Sequence, residues 1–229
     1  MAGPRDVNLN FINQSNDSGN SSVVIFQKNE ADNFDALSDA PTGAVFQKKA
    51  VPGFGGMAVA WQVIRNCTQG GNHPFVFPES IYVGASDSYG NFTPQLAARS
   101  GQLFEMVQTS SGDQLKLAGA ATSPSEVHVR NAMPQGAVDA NIYRGGLLLA
   151  TKTAVAPQQK AAFQFKPTIW IGVVSQIDEG QVMNSAILSQ VNTELSLLGI
   201  ASADIVMTGG GTGPSSTPFQ FALANLVTA

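Results

Sequence analysis

The 229-residue chain is short of charge, cysteine and histidine, and each shortage narrows the possible functions. Charged residues make up only 12 % of the chain, about half the usual share. The net charge is −4, and no run of Lys and Arg is longer than Lys48-Lys49. A nucleic acid needs a basic face to displace the counterions of its phosphates, so no nucleic-acid partner is expected. A single cysteine, Cys67, excludes an internal disulfide and a multi-cysteine metal site. At the end of AVAWQVIRNC it reads as a small apolar core residue. The longest aliphatic run, Leu147-Leu148-Leu149-Ala150, is far short of a membrane-spanning helix. The opening MAGPRDVNLN has no apolar stretch of the kind a secretory signal needs. The expected location is therefore cytoplasmic, or outside the cell after release without a signal peptide.

Catalytic signatures are equally scarce. The two histidines, His73 and His128, lie far apart in sequence, with no H-x-[DE] pair, so a metal-dependent oxygenase is the weakest of three readings. There is no G-x-S-x-G elbow for an acyl-transfer nucleophile. Adjacent acids such as Asp178-Glu179 would face opposite sides of a strand and make no glycosidase-like pair. The stretch MTGGGTGPSS (207–216) is the one glycine-rich candidate for a phosphate cradle. A cradle needs a strand, then glycines, then a helix whose first amides face the anion. Here DIVMT precedes the glycines and TPFQFAL follows, and both alternate as strands, so the stretch reads as a loop between strands. No catalytic residue, cofactor or metal site is assigned, and the balance leans against an enzyme.

What is abundant is short alternating or β-branched runs separated by turn residues. VNLNFIN, SVVIFQK, MAVAWQVIR, HPFVFP, ESIYVGAS, GQLFEMVQTS and DQLKLAG fill the first half. EVHVRNA, VDANIYR, LLLATKTAV, AAFQFKP and TIWIGVVSQ follow in the second. Such runs predict an antiparallel all-β fold, a sandwich or jelly roll with at most one or two short helices. Ser110-Ser111-Gly112-Asp113 and Gly145-Gly146 mark hairpin turns. Residues 30–44 lack a period and read as a linker. GAATSPS (119–125) is a candidate boundary between sheet units 1–121 and 122–229, which could also form one compact domain. The segment 178–198 fits a helical face as well as a strand face, and the β surroundings tip it towards strand. VNLNFIN–loop–SVVIFQK has the layout of VHVRNAM–loop–VDANIYR, and a Trp-bearing strand, AVAWQVI or TIWIGVV, follows each. That layout points to duplicated β units.

The runs KAAFQFKPTIWIGVVSQ and GIASADIVMTGGGTGPSSTPFQFAL resemble an uncharacterised bacterial family of similar length. Its members have carried the loose label of aromatic ring-opening dioxygenase. The resemblance implies a bacterial source. The label is not carried over, because ring-opening enzymes of that kind are α/β proteins with clustered histidines.

Function is therefore expected from surfaces. The leading reading is a non-enzymatic structural or binding protein that assembles as a homo-oligomer or recognises a glycan, protein or membrane partner. The alternative is a membrane-active, toxin-like protein, with RSGQLFEMVQTSSGDQLKLAG (99–119) as its amphipathic hairpin. His73, Tyr82, Tyr89 and Phe92 form the expected recognition cluster, because loops and rims on a rigid sheet carry binding residues.

Overall fold

The computed structural model describes residues 6–17, 21–31, 58–191 and 193–229, so most of the expected linker at 30–44 lies outside the described residues. The fold is all-β and sandwich-like. The first eight strands are β1 (Val7–Asn13), β2 (Ser22–Phe26), β3 (Gln62–Ile64), β4 (Asn72–Phe77), β5 (Ile81–Asp87), β6 (Leu96–Ala98), β7 (Gln102–Thr109) and β8 (Gly112–Ala120). The next eight are β9 (Val127–Asn131), β10 (Val138–Arg144), β11 (Leu147–Val155), β12 (Lys160–Phe163), β13 (Thr168–Val174), β14 (Thr193–Ser196), β15 (Ile200–Gly210) and β16 (Thr217–Thr228). They form four four-stranded sheets. The β1 sheet has the order β16-β15-β1-β4, and the β9 sheet β8-β7-β9-β12. The β2 sheet has the order β3-β2-β13-β14, and the β10 sheet β11-β10-β5-β6.

Shifting every strand by eight maps this topology onto itself. β1 pairs β4 antiparallel as β9 pairs β12. β1 runs parallel to β15 as β9 does to β7. The hairpins β15–β16 and β7–β8 correspond, as do β2–β13 and β10–β5. So do β2–β3 and β10–β11, and β13–β14 and β5–β6. The molecule is a duplicated eight-strand unit whose two copies exchange strands. Every sheet draws on both halves, so the expected units 1–121 and 122–229 are interleaved. The candidate boundary at 119–125 is a connection between β8 and β9, two strands of one sheet. The sequence layout matches β1 with β9 and β2 with β10, as expected. Its third leg is corrected: the counterpart of Trp170 on β13 is Tyr82 on β5, in Ile169-Trp170-Ile171-Gly172 and Ile81-Tyr82-Val83-Gly84.

Alternation explains the main core. Val7, Leu9 and Phe11 of β1 point inward, with Val127 and Val129 of β9 at the matching positions. They meet Val83 and Ala85 of β5, Ala140 and Ile142 of β10, and Ile169 and Ile171 of β13 in one cluster. Trp61 sits at a junction in it: its ring meets Phe77 edge-on at 5.5 Å, and its Nε1–H donates to the Arg144 carbonyl at 3.0 Å. Arg144 lies with its guanidinium 4.4 Å from the Phe77 ring centre and donates to the carbonyls of Pro78 and Glu79. Burial lowers it to about 10 against the opposing pull of Glu79 and Asp6, so it stays charged at neutral pH.

A second core covers the outer face of the β2 sheet. Val24, Phe26 and Val174 of that face are buried under Ile177, Met183, Leu188 and Val191, with Trp170 and Val63 packed alongside. The covering chain is the segment that satisfied both periods, and it is not the single strand expected. It holds the one-turn helix α1 (Ser185–Leu188) and then β14. Asn184 starts the turn: its Oδ1 accepts from the Ile187 amide at 3.0 Å, and its carbonyl from the Leu188 amide at 3.0 Å. MAVAWQVIR likewise yields only the short β3. Upstream of β3 the chain changes partners, with Ala58 bridging Ala150 and Val59 bridging Val182.

Candidate functional site

The glycine loop is built for a turn. Gly209 and Gly210 close β15 at φ +86° and +77°, and a short 3-10 turn, Gly213–Ser215, leads into β16. A Cβ on Gly209 would stand 2.2 Å from the Pro218 carbonyl oxygen, so no other residue fits. The counterpart hairpin turns tightly at Ser110-Ser111, which makes GGGTGPSS an extension of an equivalent turn. A cavity of about 610 Å³ beside it is lined by Asp17, Ser21, Ser216, Thr217 and Phe219 among others. The glycines lead to a strand, as expected, and the lining carries a carboxylate where a phosphate would need a cation.

The chemistry-bearing side chains are dispersed. His128 on β9 is 1 % exposed, with Nε2 2.6 Å from Glu126 and Nδ1 3.5 Å from the Lys160 ammonium. His73 lies on β4, opposite Phe11 in the β1 sheet, and is exposed. Cys67 packs against the main core, and burial raises its thiol, partly offset by a backbone hydrogen bond with Asn13. Asp178 pairs with Arg65, and Glu179 accepts from the Val63 amide at 3.1 Å. Among the described residues, no group of three or more His, Cys, Asp or Glu could hold a metal ion. None of their helices is long and apolar enough to cross a membrane. The hairpin within 99–119 is β7–β8, and it anchors Phe104, Met106 and Leu115 in the main core.

The expected recognition cluster is brought together in part. Tyr82, Tyr89 and Phe92 belong to β5 and the connection to β6, whereas His73 belongs to another sheet. Val83 and Ala85 face the core, so Tyr82, Gly84 and Ser86 face outward. Phe92 bridges Ser86 and stands on the same side, 68 % exposed. Tyr89 is 89 % exposed at the tip. Asp87 sets this turn: its Oδ1 accepts from the amides of Tyr89 and Asn91 at 2.9 Å each, and its Oδ2 from Asn91 Nδ2 at 2.8 Å. Those bonds, the Asn91 side chain first, hold its carboxyl below the ordinary carboxylate range.

On β10 the outward positions opposite these are Tyr143, Asn141 and Asp139. Tyr143 lies over Gly84, where a Cβ would come within 3.0 Å of its ring, with Gln95 and Thr93 next nearest. Thr151 on β11 donates its hydroxyl to Asn141 Oδ1 at 2.7 Å. The face thus presents Tyr82, Tyr143 and Phe92 around a floor of Asn141 and Ser86, which are both buried at 4 % exposure. Tyr143, Asn141 and Thr151 were missed in sequence, where only register shows that β10 lies beside β5.

A second outer surface, that of the β1 sheet, is nearly free of charge. Asn8, Asn10 and Ile12 of β1 lie beside Ser202, Asp204 and Val206 of β15 and Val76, Pro74 and Asn72 of β4. Gln220, Ala222 and Ala224 of β16 complete it. Asn10 and Asn225 both donate to Asp204, the one charged residue among these positions. No protein-family model, curated protein or solved structure matches the chain.

Proposed function

We propose that the protein is a non-enzymatic assembly protein, which packs the outer face of its β1 sheet against a second copy of itself. The contrast between the two repeats supports this. At matching outer positions the β9 sheet carries Glu105, Lys116, Arg130 and Lys160, with Glu105 paired to Arg130. The β1 sheet has Val206, Ala222, Ile12 and Asn72 at those places, with Asn13 and Asn131 as the matching strand ends. Loss of charge removes the cost of stripping water from ions, and interface centres are depleted in charge for that reason. β16, the outermost strand, has no charged residue in its twelve, and Leu226 and Val227 are 56 % and 54 % exposed on it. Among the described residues no strand pairs with its outer edge, and an edge of this kind can take a further strand.

Light scattering of the full chain tests this reading. The wild type is expected to exceed the 23.9 kDa of one chain. Asn10→Arg with Ala224→Lys, which puts two cations on this outer face beside Asp204, is expected to return it to a monomer with an unchanged circular dichroism spectrum. A wild type that is monomeric at every concentration would sink the reading.

A further inference from the structure

We infer that the outer face of the β10 sheet is a binding site for a neutral saccharide. The inference rests on a difference between the repeats separate from the one that supports assembly. The β2 sheet and the β10 sheet are the same structure by topology, yet among the described residues only the outer face of the β2 sheet is closed over by a connecting segment.

The closed face shows what a permanently covered surface requires. Its positions are Phe26, Val24, Val174, Val63 and Trp170, and the 177–191 segment seals them into the second core. Register puts Tyr143 where Phe26 stands, Asn141 for Val24, Ser86 for Val174, Thr151 for Val63 and Tyr82 for Trp170. Four of the five replacements keep the bulk or the ring, and four put a hydrogen-bonding group where the closed face has a hydrocarbon side chain. The glycine between the rings is present in both, as Gly172 and Gly84. In the closed repeat the backbone of Val191 settles over the glycine, 2.8 Å from where a Cβ would be. In the other repeat the connection from β5 to β6 is short and begins with the Asp87-bound turn, and Tyr82 is 38 % and Phe92 68 % exposed.

The chemistry of the open face selects the ligand. Tyr and Phe rings offer flat apolar area to the C–H face of a pyranose, and tyrosine adds a hydroxyl. Exposed Gln95, half-buried Thr151 and the tyrosine hydroxyls supply uncharged donors and acceptors, as a polyhydroxylated ring requires, over a floor of Asn141 and Ser86, each 4 % exposed. Asp139 is the only ionised residue at the register positions named, and its Oδ1 is engaged by the Ala154 amide at 2.8 Å. With no cation among those positions, phosphates and acidic peptides are disfavoured. From Tyr82 to Ser86 the strand runs about 13 Å, a groove length that suits a short oligosaccharide better than a single ring.

The test is a titration of the ¹⁵N-labelled full chain with cellohexaose, xylohexaose, mannohexaose and chitohexaose at millimolar concentration. Saturable shifts centred on the amides of Gly84, Asn141 and Phe92 are expected with at least one of the four. Tyr82→Ala and Phe92→Ala, both exposed positions, are each expected to weaken that binding at least about tenfold. The Asn10→Arg/Ala224→Lys protein should bind as the wild type does, whatever its oligomeric state. Three results would overturn the inference. They are the absence of saturable shifts with all four sugars, undiminished binding by a Tyr82→Ala/Phe92→Ala double variant, and shifts at this face that follow protein concentration without sugar. The last would assign the face to a second copy of the chain.

Discussion

Gly172→Ala and Gly84→Ala are the same substitution at matching sites of the two repeats, and the structure predicts different outcomes. At Gly172 an added Cβ would lie 2.8 Å from Val191 Cα and 3.1 Å from its Cβ. The near atom is backbone and is held within the second core, so the covering segment must lift as a unit. Overpacking of this kind costs about 1–3 kcal/mol. Replacing a strand glycine by alanine returns about 0.5–1 kcal/mol through the unfolded chain. The net expectation is a loss centred on about 1 kcal/mol, or a fall in Tm of roughly 2–4 °C for a chain of this size. At Gly84 the near atom is Tyr143 Cε2 at 3.0 Å, the free end of a side chain, which can swing aside. There the two terms nearly cancel, and stability should stay within about 0.5 kcal/mol of the wild type. Urea unfolding at 25 °C reads both values, and hydrogen exchange locates the loss. The Val191 amide, bonded to the Leu188 carbonyl at 3.2 Å, should exchange faster in Gly172→Ala only. Equal effects at both glycines would refute the claim that one face is covered and the other open.

Two further predictions concern single groups. Trp61→Phe keeps most of the ring but leaves the buried Arg144 carbonyl without its 3.0 Å donor, and should cost about 1–3 kcal/mol in urea unfolding. Burial raises the Tyr143 phenol, so the folded state favours the neutral form. The stability this contributes is present below the unfolded tyrosine pKa near 10 and is lost as pH rises through the higher folded value. Tyr143→Phe should therefore flatten the fall of stability on the alkaline side, measured by urea unfolding between about pH 9 and 11.

Period-two alternation made most strands legible. Val7–Asn13, Val138–Arg144 and Leu147–Val155 appear as contiguous runs in the sequence and as strands with the same bounds. The two-glycine hairpin at 145–146, with φ of +61° and +82°, follows from residue type alone. The covering segment was not legible, because its apolar residues obey two periods and its partner is the outer face of a sheet. Sequence alternation marks such a face only as β-branched positions on both sides, as in Val23-Val24-Ile25. The candidate face was half legible. Tyr82, Tyr89 and Phe92 cluster within eleven residues, but Tyr143 and Asn141 lie on a strand that reaches β5 only through exchange between repeats. His73 was drawn in by proximity in sequence, and the turn between β4 and β5 carries it to another sheet.

Exchange of strands also explains how the two repeats can diverge without loss of fold. Each sheet contains strands of both copies, so neither half can leave the shared core, where Phe11, Ile142 and Ile171 are all fully buried. Inward positions are therefore constrained twice, once in each copy. Outer positions answer to nothing inside the molecule unless its own chain covers them. One of the two equivalent outer faces is apolar and covered by the 177–191 segment. Its twin carries rings with amides and hydroxyls. Of the other pair, one face holds the ion pair of Glu105 and Arg130 and its twin carries Asp204 as the one charge at the positions named. Chemistry that differs on the outer faces, over a core built the same way in both repeats, is the pattern from which the two proposed surfaces are read.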